Sequence, residues 1–181
     1  MRCTPLIKRL NAIALVGWFL LANISAAAPT SEIQALTVAF LYNFMKLSEW
    51  PDEAVGNELI LCVTQARDFG HELDSISGRE IQDKTLKVKQ LIPGDDPLKC
   101  QLLFLPSEEK PLRMQEWLKA IENAPVLSVS DMDGFLDQGG MIALASDANR
   151  LQFEVNLERI ENLGIKMSSQ ILQIARAVRG K

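Results

Sequence analysis

Two short apolar runs do most to limit what this chain can fold into. Leu59-Ile60-Leu61-Cys62-Val63 and Leu102-Leu103-Phe104-Leu105 contain no polar residue. Successive side chains of a strand point to opposite faces, so a strand with one wet face alternates apolar with polar. An unbroken run of four or five needs cover on both faces, as a parallel strand inside an α/β sheet has. Leu86–Leu91 alternates apolar with charged or polar residues and is expected nearer an edge. Val126–Val129, leading into Ser130-Asp131, and then Met141–Leu144 and Leu151–Val155 complete the predicted strands. The last two are separated by Ser146-Asp147-Ala148-Asn149 and are expected to pair as an antiparallel hairpin.

Helical patterns fill the intervals. Ser31–Glu49 repeats apolar residues at helical spacing, with Ser31 and Gln34 as a capping box and Trp50-Pro51 as its stop. Ile33, Leu36, Phe40, Phe44 and Leu47 form one stripe, read as the core face. Val38, Leu41 and Met45 form a second apolar side, covered by the core or by a partner, and a homodimer interface is expected there because one core seldom covers so much of a helix. Phe69–Ser75, Pro111–Ile121 and Leu157–Leu163 are predicted helices, the last capped by Gly164. A final helix, capped by Ser168 or Ser169, is expected to bury Ile171, Ile174, Ala175 and Val178. Strands alternating with helices predict an α/β fold, a three-layer sandwich with a mainly parallel central sheet flanked by helices.

The N-terminus reads as an export signal spanning residues 1–27. Arg2, Lys8 and Arg9 precede an apolar stretch from Leu10 to Ala22, and Ser25-Ala26-Ala27-Ala28 supplies a small-residue cleavage site. Cleavage is expected after Ala26 or Ala27, which leaves one α/β domain over residues 28–181 and places it in the periplasm. The stretch is shorter than the roughly 20 residues of a membrane span. The formal net charge is −4, and the unopposed cations of the leader put the remainder near −7. A surplus of acid disfavours nucleic acid as a partner, since binding it requires a basic face.

Cys62 and Cys100 remain after the leader. In an oxidising compartment they form a disulfide, or else they are two free thiols buried in apolar strands.

Catalytic chemistry finds few residues to use. His71 is the only histidine, and no nucleophile–base pattern, phosphate loop or H-E-x-x-H is present. One histidine and two separated cysteines do not make a usual four-ligand zinc set. Asp131-Met132-Asp133-Gly134 resembles part of a calcium loop, but Val129 and Gly140 stand where an EF-hand needs an acidic or amide residue and a glutamate. No catalytic residue, metal ligand or cofactor is therefore assigned. Asp131, Gly134 and Phe135 stay as ligand-loop candidates, because open α/β sheets bind ligands beyond the carboxyl ends of their strands.

Taken in order, several segments resemble the YfiR family (DUF4154). They include Ala39-Phe40-Leu41-Tyr42-Asn43-Phe44 with Glu49-Trp50-Pro51, then Cys62-Val63, Phe69-Gly70 and Cys100–Leu105. Pro125–Asp131 with Gly134-Phe135, Gly139–Ile142, Phe153–Leu157 and Lys166–Ser169 complete the series. The resemblance implies a non-enzymatic periplasmic repressor. Such a protein binds the periplasmic domain of an inner-membrane, YfiN-like diguanylate cyclase and lowers cyclic di-GMP and biofilm formation. A YfiB-like outer-membrane lipoprotein would sequester it, and it would form homodimers.

The resemblance also implies that Cys62 and Cys100 pair. A second, short-range cystine found in the family would fall at Leu136 and Ala143, so it is absent here. Glu154 and Ile160 match positions on a surface implicated in repression, although Glu154 also suits an outward-facing strand position and Ile160 a core helix position. The alternative reading is a periplasmic small-ligand binding or sensing module, which a pocket near Asp131 and Phe135 would favour. A hydrolase is a third reading, disfavoured by the missing constellation.

Overall fold

The computed structural model describes residues 29–65, 69–147 and 150–180. The export signal expected over residues 1–27 and its expected cleavage site lie outside these residues. The strands are β1 (Ser48–Glu49), β2 (Glu58–Val63), β3 (Glu80–Ile81), β4 (Lys84–Gln90), β5 (Leu102–Leu105), β6 (Leu127–Ser130), β7 (Ile142–Asp147), β8 (Arg150–Asn156), β9 (Lys166–Met167) and β10 (Ala177–Arg179). The helices are α1 (Pro29–Lys46), α2 (Gly70–Ile76), α3 (Pro111–Ala120), α4 (Leu157–Asn162) and α5 (Ser169–Gln173).

Eight strands form one sheet in the order β10-β8-β7-β6-β5-β2-β4-β3. The central neighbours β4-β2-β5-β6-β7 all pair in parallel, as does β10 on β8. Antiparallel pairing occurs between β3 and β4 and between β7 and β8. The fold is mixed α/β with a mostly parallel sheet. The predicted hairpin is present, with Ile142 opposite Val155 and Asp147 opposite Arg150.

The uninterrupted runs are explained by what covers them. All four residues of β5 are fully buried. Leu102 and Phe104 join one apolar cluster, with residues of α1, α2, α4 and α5. Leu103 and Leu105 join a second, with Met114, Trp117 and Leu118 of α3. Since neighbouring side chains on a strand point opposite ways, the two clusters lie on opposite faces of the sheet.

Two expectations about helices are corrected. On α1, Val38, Leu41 and Met45 lie at 2 %, 0 % and 0 % exposure together with Phe44, whereas Leu36 is 36 % exposed and Ile33 half-buried. The side read as a dimer interface therefore packs into the core as well, alongside Phe40, Phe44 and Leu47 of the expected stripe, and only the start of that stripe lies outside it. From the expected core stripe, the Phe44 ring meets Phe153 of β8 edge-on at 5.0 Å, and Phe40 meets the same ring at 5.4 Å. The helix also stops at Lys46, because Ser48-Glu49 pair antiparallel with Lys166-Met167. The second correction is at the C-terminus. Ser168 caps α5 by accepting from the Gln170 N–H, but α5 ends at Gln173. Ile174 is 64 % exposed and Val178 lies in β10, hydrogen-bonded into the sheet rather than on a helix face.

Candidate functional site

Glu154 sits on β8, near the edge of the sheet that β10 completes. Its carboxylate accepts from Arg176, with Nε at 3.0 Å and the terminal Nη2 also bonded. Arg179 reaches the other carboxylate oxygen at 3.4 Å and bonds Asp137 at 2.6 Å. Asp137, by hydrogen bond and charge, and Glu154 to a lesser degree hold the Arg179 guanidinium above its ordinary pKa. The Glu154 side chain is only 18 % exposed, although its neighbours Phe153 and Val155 point into the core and it does not. Alternation along β8 turns it outward, and the two arginines then cover it.

Ile160, named with Glu154 from the resemblance, is placed differently. It is fully buried on the inner side of α4, in the first cluster. In this conformation a partner cannot touch it directly; it bears on the surface only through where it seats α4.

The ligand-loop candidates are largely engaged. Asp131 follows β6 and its carboxylate accepts from the Ser107 N–H at 2.7 Å, which fastens the loop after β5. Gly134 takes a left-handed conformation at φ 70° and starts a 3-10 turn over Phe135–Gln138. Phe135 is fully buried in the second cluster, and its ring fills the space that a Cβ at Gly140 would need. The turn nevertheless joins the first candidate region, because its Asp137 bonds Arg179.

Two adjacent clefts of about 400 and 310 Å³ flank Arg159 instead. Asn123, Asn156, Glu158 and Asn162 line the larger, and Gly139, Glu122 and Arg159 line both. Arg159 Nε is buried without a hydrogen-bond partner, and Arg159 has no ion pair among the described residues. His71 is exposed on α2. Among the described residues, no group of three or more His, Cys, Asp or Glu could hold a metal ion, and no helix is long and apolar enough to cross a membrane.

Cys62 and Cys100 form a disulfide with a Cα–Cα distance of 5.9 Å. Cys62 lies on β2, and Cys100 just precedes β5, on the face covered by α3. The bridge thus pins the start of β5 to its parallel neighbour.

This disulfide, on a mostly parallel sheet with an antiparallel hairpin at one side, accompanies a family match. The family model DUF4154, described as YfiR/HmsC-like, matches residues 34–176. The chain belongs to this family. YfiR/HmsC-like proteins are periplasmic and regulatory rather than catalytic, and the family points to diguanylate cyclase signalling. No curated protein matches the chain. In this YfiR/HmsC-like protein the matched region contains Glu154, Ile160, both cysteines and Arg176, while Arg179 falls just beyond it.

Sequence reasoning missed Arg176, Arg179 and Asp137. A helix was expected through Val178, which would have left the two arginines as i,i+3 neighbours on a solvated helical face, with no sign of Glu154 as their partner. In the structure Arg179 shares the face of Ala177, the register partner of Glu154, and Arg176 reaches the same carboxylate from just before β10.

Proposed function

We propose that this protein is a periplasmic repressor that binds the periplasmic domain of an inner-membrane diguanylate cyclase and holds it inactive, lowering cyclic di-GMP and biofilm formation. The family match over residues 34–176 carries this reading. The leader over residues 1–27 agrees with it, since an exported protein meets a membrane cyclase only on the outer face of the inner membrane. Two separately packed faces of the sheet support the three-layer arrangement, which would give the contact surface a rigid base.

Repression by contact needs only that the repressor bind one state of the cyclase better than the other. The Glu154 surface is the proposed contact region, with Ile160 seating α4 from below. A YfiB-like lipoprotein would relieve repression by competing for the repressor. A homodimer would have to use a surface other than Val38, Leu41 and Met45, which the core occupies. The purified periplasmic domain of the cyclase encoded nearest this chain should bind the mature protein saturably, and a titration without heat or mobility change contradicts the proposal.

The small-ligand alternative is favoured by one observation, the buried and unpartnered Nε of Arg159 between two clefts. It does not draw on Asp131 or Phe135. A periplasmic extract fraction that raises the melting temperature of the wild type but not of Arg159→Ala would support it.

A further inference from the structure

The last strand of the sheet is held in an unusual balance. β10 has three residues, paired in parallel with Glu154, Val155 and Asn156. One more backbone bond precedes it, from the Arg176 N–H to the Phe153 carbonyl at 2.8 Å. Its apolar anchoring is thin: Ala177 and Val178 are half-buried, and Ile174 just before it is 64 % exposed. The side-chain ties are ionic and converge on β8. Arg176 bonds Glu154, and Arg179 bonds Asp137 and approaches Glu154. Gly180, at φ +76°, closes against Glu158 where a Cβ would collide.

β8 itself does not depend on this segment. It pairs with β7 along six successive residues on its other side, and its inward side chains Phe153 and Val155 are buried. Segments with few buried apolar contacts and exposed hydrogen bonds open locally at a fraction of the global unfolding free energy. The structure therefore separates a firmly held strand from a lightly held neighbour, and Glu154 is the acid at which both arginines of that neighbour meet.

We propose that residues 174–180 form a releasable strap along the outer edge of β8, fastened by Glu154. We infer that Glu154 is a positioning residue, acting on the cyclase contact through the strap rather than by touching the partner. The second part rests on the proposed repressor function; the first does not. Release uncovers the β8 edge from Phe153 to Asn156 and frees Arg176 and Arg179, so the shape and charge of this surface depend on whether the strap is fastened.

The test is hydrogen exchange by mass spectrometry on the mature protein, as wild type, Glu154→Gln and the charge swap E154R/R176E. The expected result is that Glu154→Gln speeds exchange over residues 174–180 by about tenfold, while peptides covering 102–105 keep the wild-type rate. The swap re-forms one ion pair, between positions 154 and 176, but leaves Arg179 facing a cation, so exchange is expected to return toward the wild-type rate without reaching it. Exchange over 174–180 that stays within about twofold of wild type in Glu154→Gln overturns the strap. Binding to the purified periplasmic domain of the cyclase is measured on the same three proteins. Binding lost in Glu154→Gln and regained in the swap supports the positioning role. Binding still absent in a swap whose exchange has recovered shows direct contact and overturns it. A wild type that does not bind contradicts the repressor function, while the exchange measurement still decides the strap.

Discussion

Removing the disulfide as C62A/C100A is expected to lower stability by about 4 kcal/mol. The cysteines are 38 residues apart in sequence. Cross-linking a loop of that length removes chain entropy from the unfolded state worth about 4 kcal/mol at 25 °C. Burial should not reverse the sign: the residues are 0 % and 2 % exposed in the cluster with Leu91, Leu103 and Met114, and alanine leaves little space to refill. For a domain of this size each kcal/mol moves the melting temperature by roughly 2–4 °C, so a fall of roughly 8–16 °C is expected. Calorimetric melting of oxidised wild type, reduced wild type and the double variant measures it, and the last two should nearly coincide. The same burial predicts that a small thiol reductant attacks the folded protein no faster than the protein opens. A melting shift under about 2 °C, or rapid reduction in the absence of denaturant, would refute this reasoning.

The core supplies three sharper tests. Phe44→Ala removes a fully buried ring in edge contact with Phe153 and is expected to cost about 3–5 kcal/mol in a urea titration. Gly140→Ala drives a methyl into the Phe135 ring and should cost about 1–3 kcal/mol, relieved by adding Phe135→Leu. Met45→Ser should lower the melting temperature without changing the sedimentation coefficient of the folded protein, because its side chain belongs to the core; dissociation of a folded dimer would restore the interface reading of α1.

What the sequence made legible follows from how local each signal is. The strands Leu59–Val63 and Leu102–Leu105 were readable because an unbroken apolar run admits few other environments. The hairpin of β7 and β8 and the Gly164 cap were readable from turn residues. That the core covers both apolar sides of α1 was not, because what packs on Val38, Leu41 and Met45 comes from distant parts of the chain that the helix's own pattern does not show. The tight hairpin of β3 and β4 also went unseen: Gln82 and Asp83 both adopt positive φ, a conformation normally announced by Asn-Gly. β1 and β9, two residues each, exist only as each other's partners. At the candidate site, Glu154 came from the resemblance, but its arginine partners depended on β10, whose apolar residues fit a helical period equally well. Asp131 looked available for a ligand because nothing in the sequence shows that the Ser107 N–H would occupy it.

The central claim is that this exported protein silences a cyclase across no chemistry of its own. Cyclic di-GMP, measured by mass spectrometry in cells with this gene deleted, tests it most directly when the partner cyclase gene is present in one strain and deleted in the other. The account predicts a rise in the first strain, reversed by restoring the mature protein to the periplasm, and no change in the second. Cyclic di-GMP that stays constant in the first strain, or rises equally in both, would contradict it.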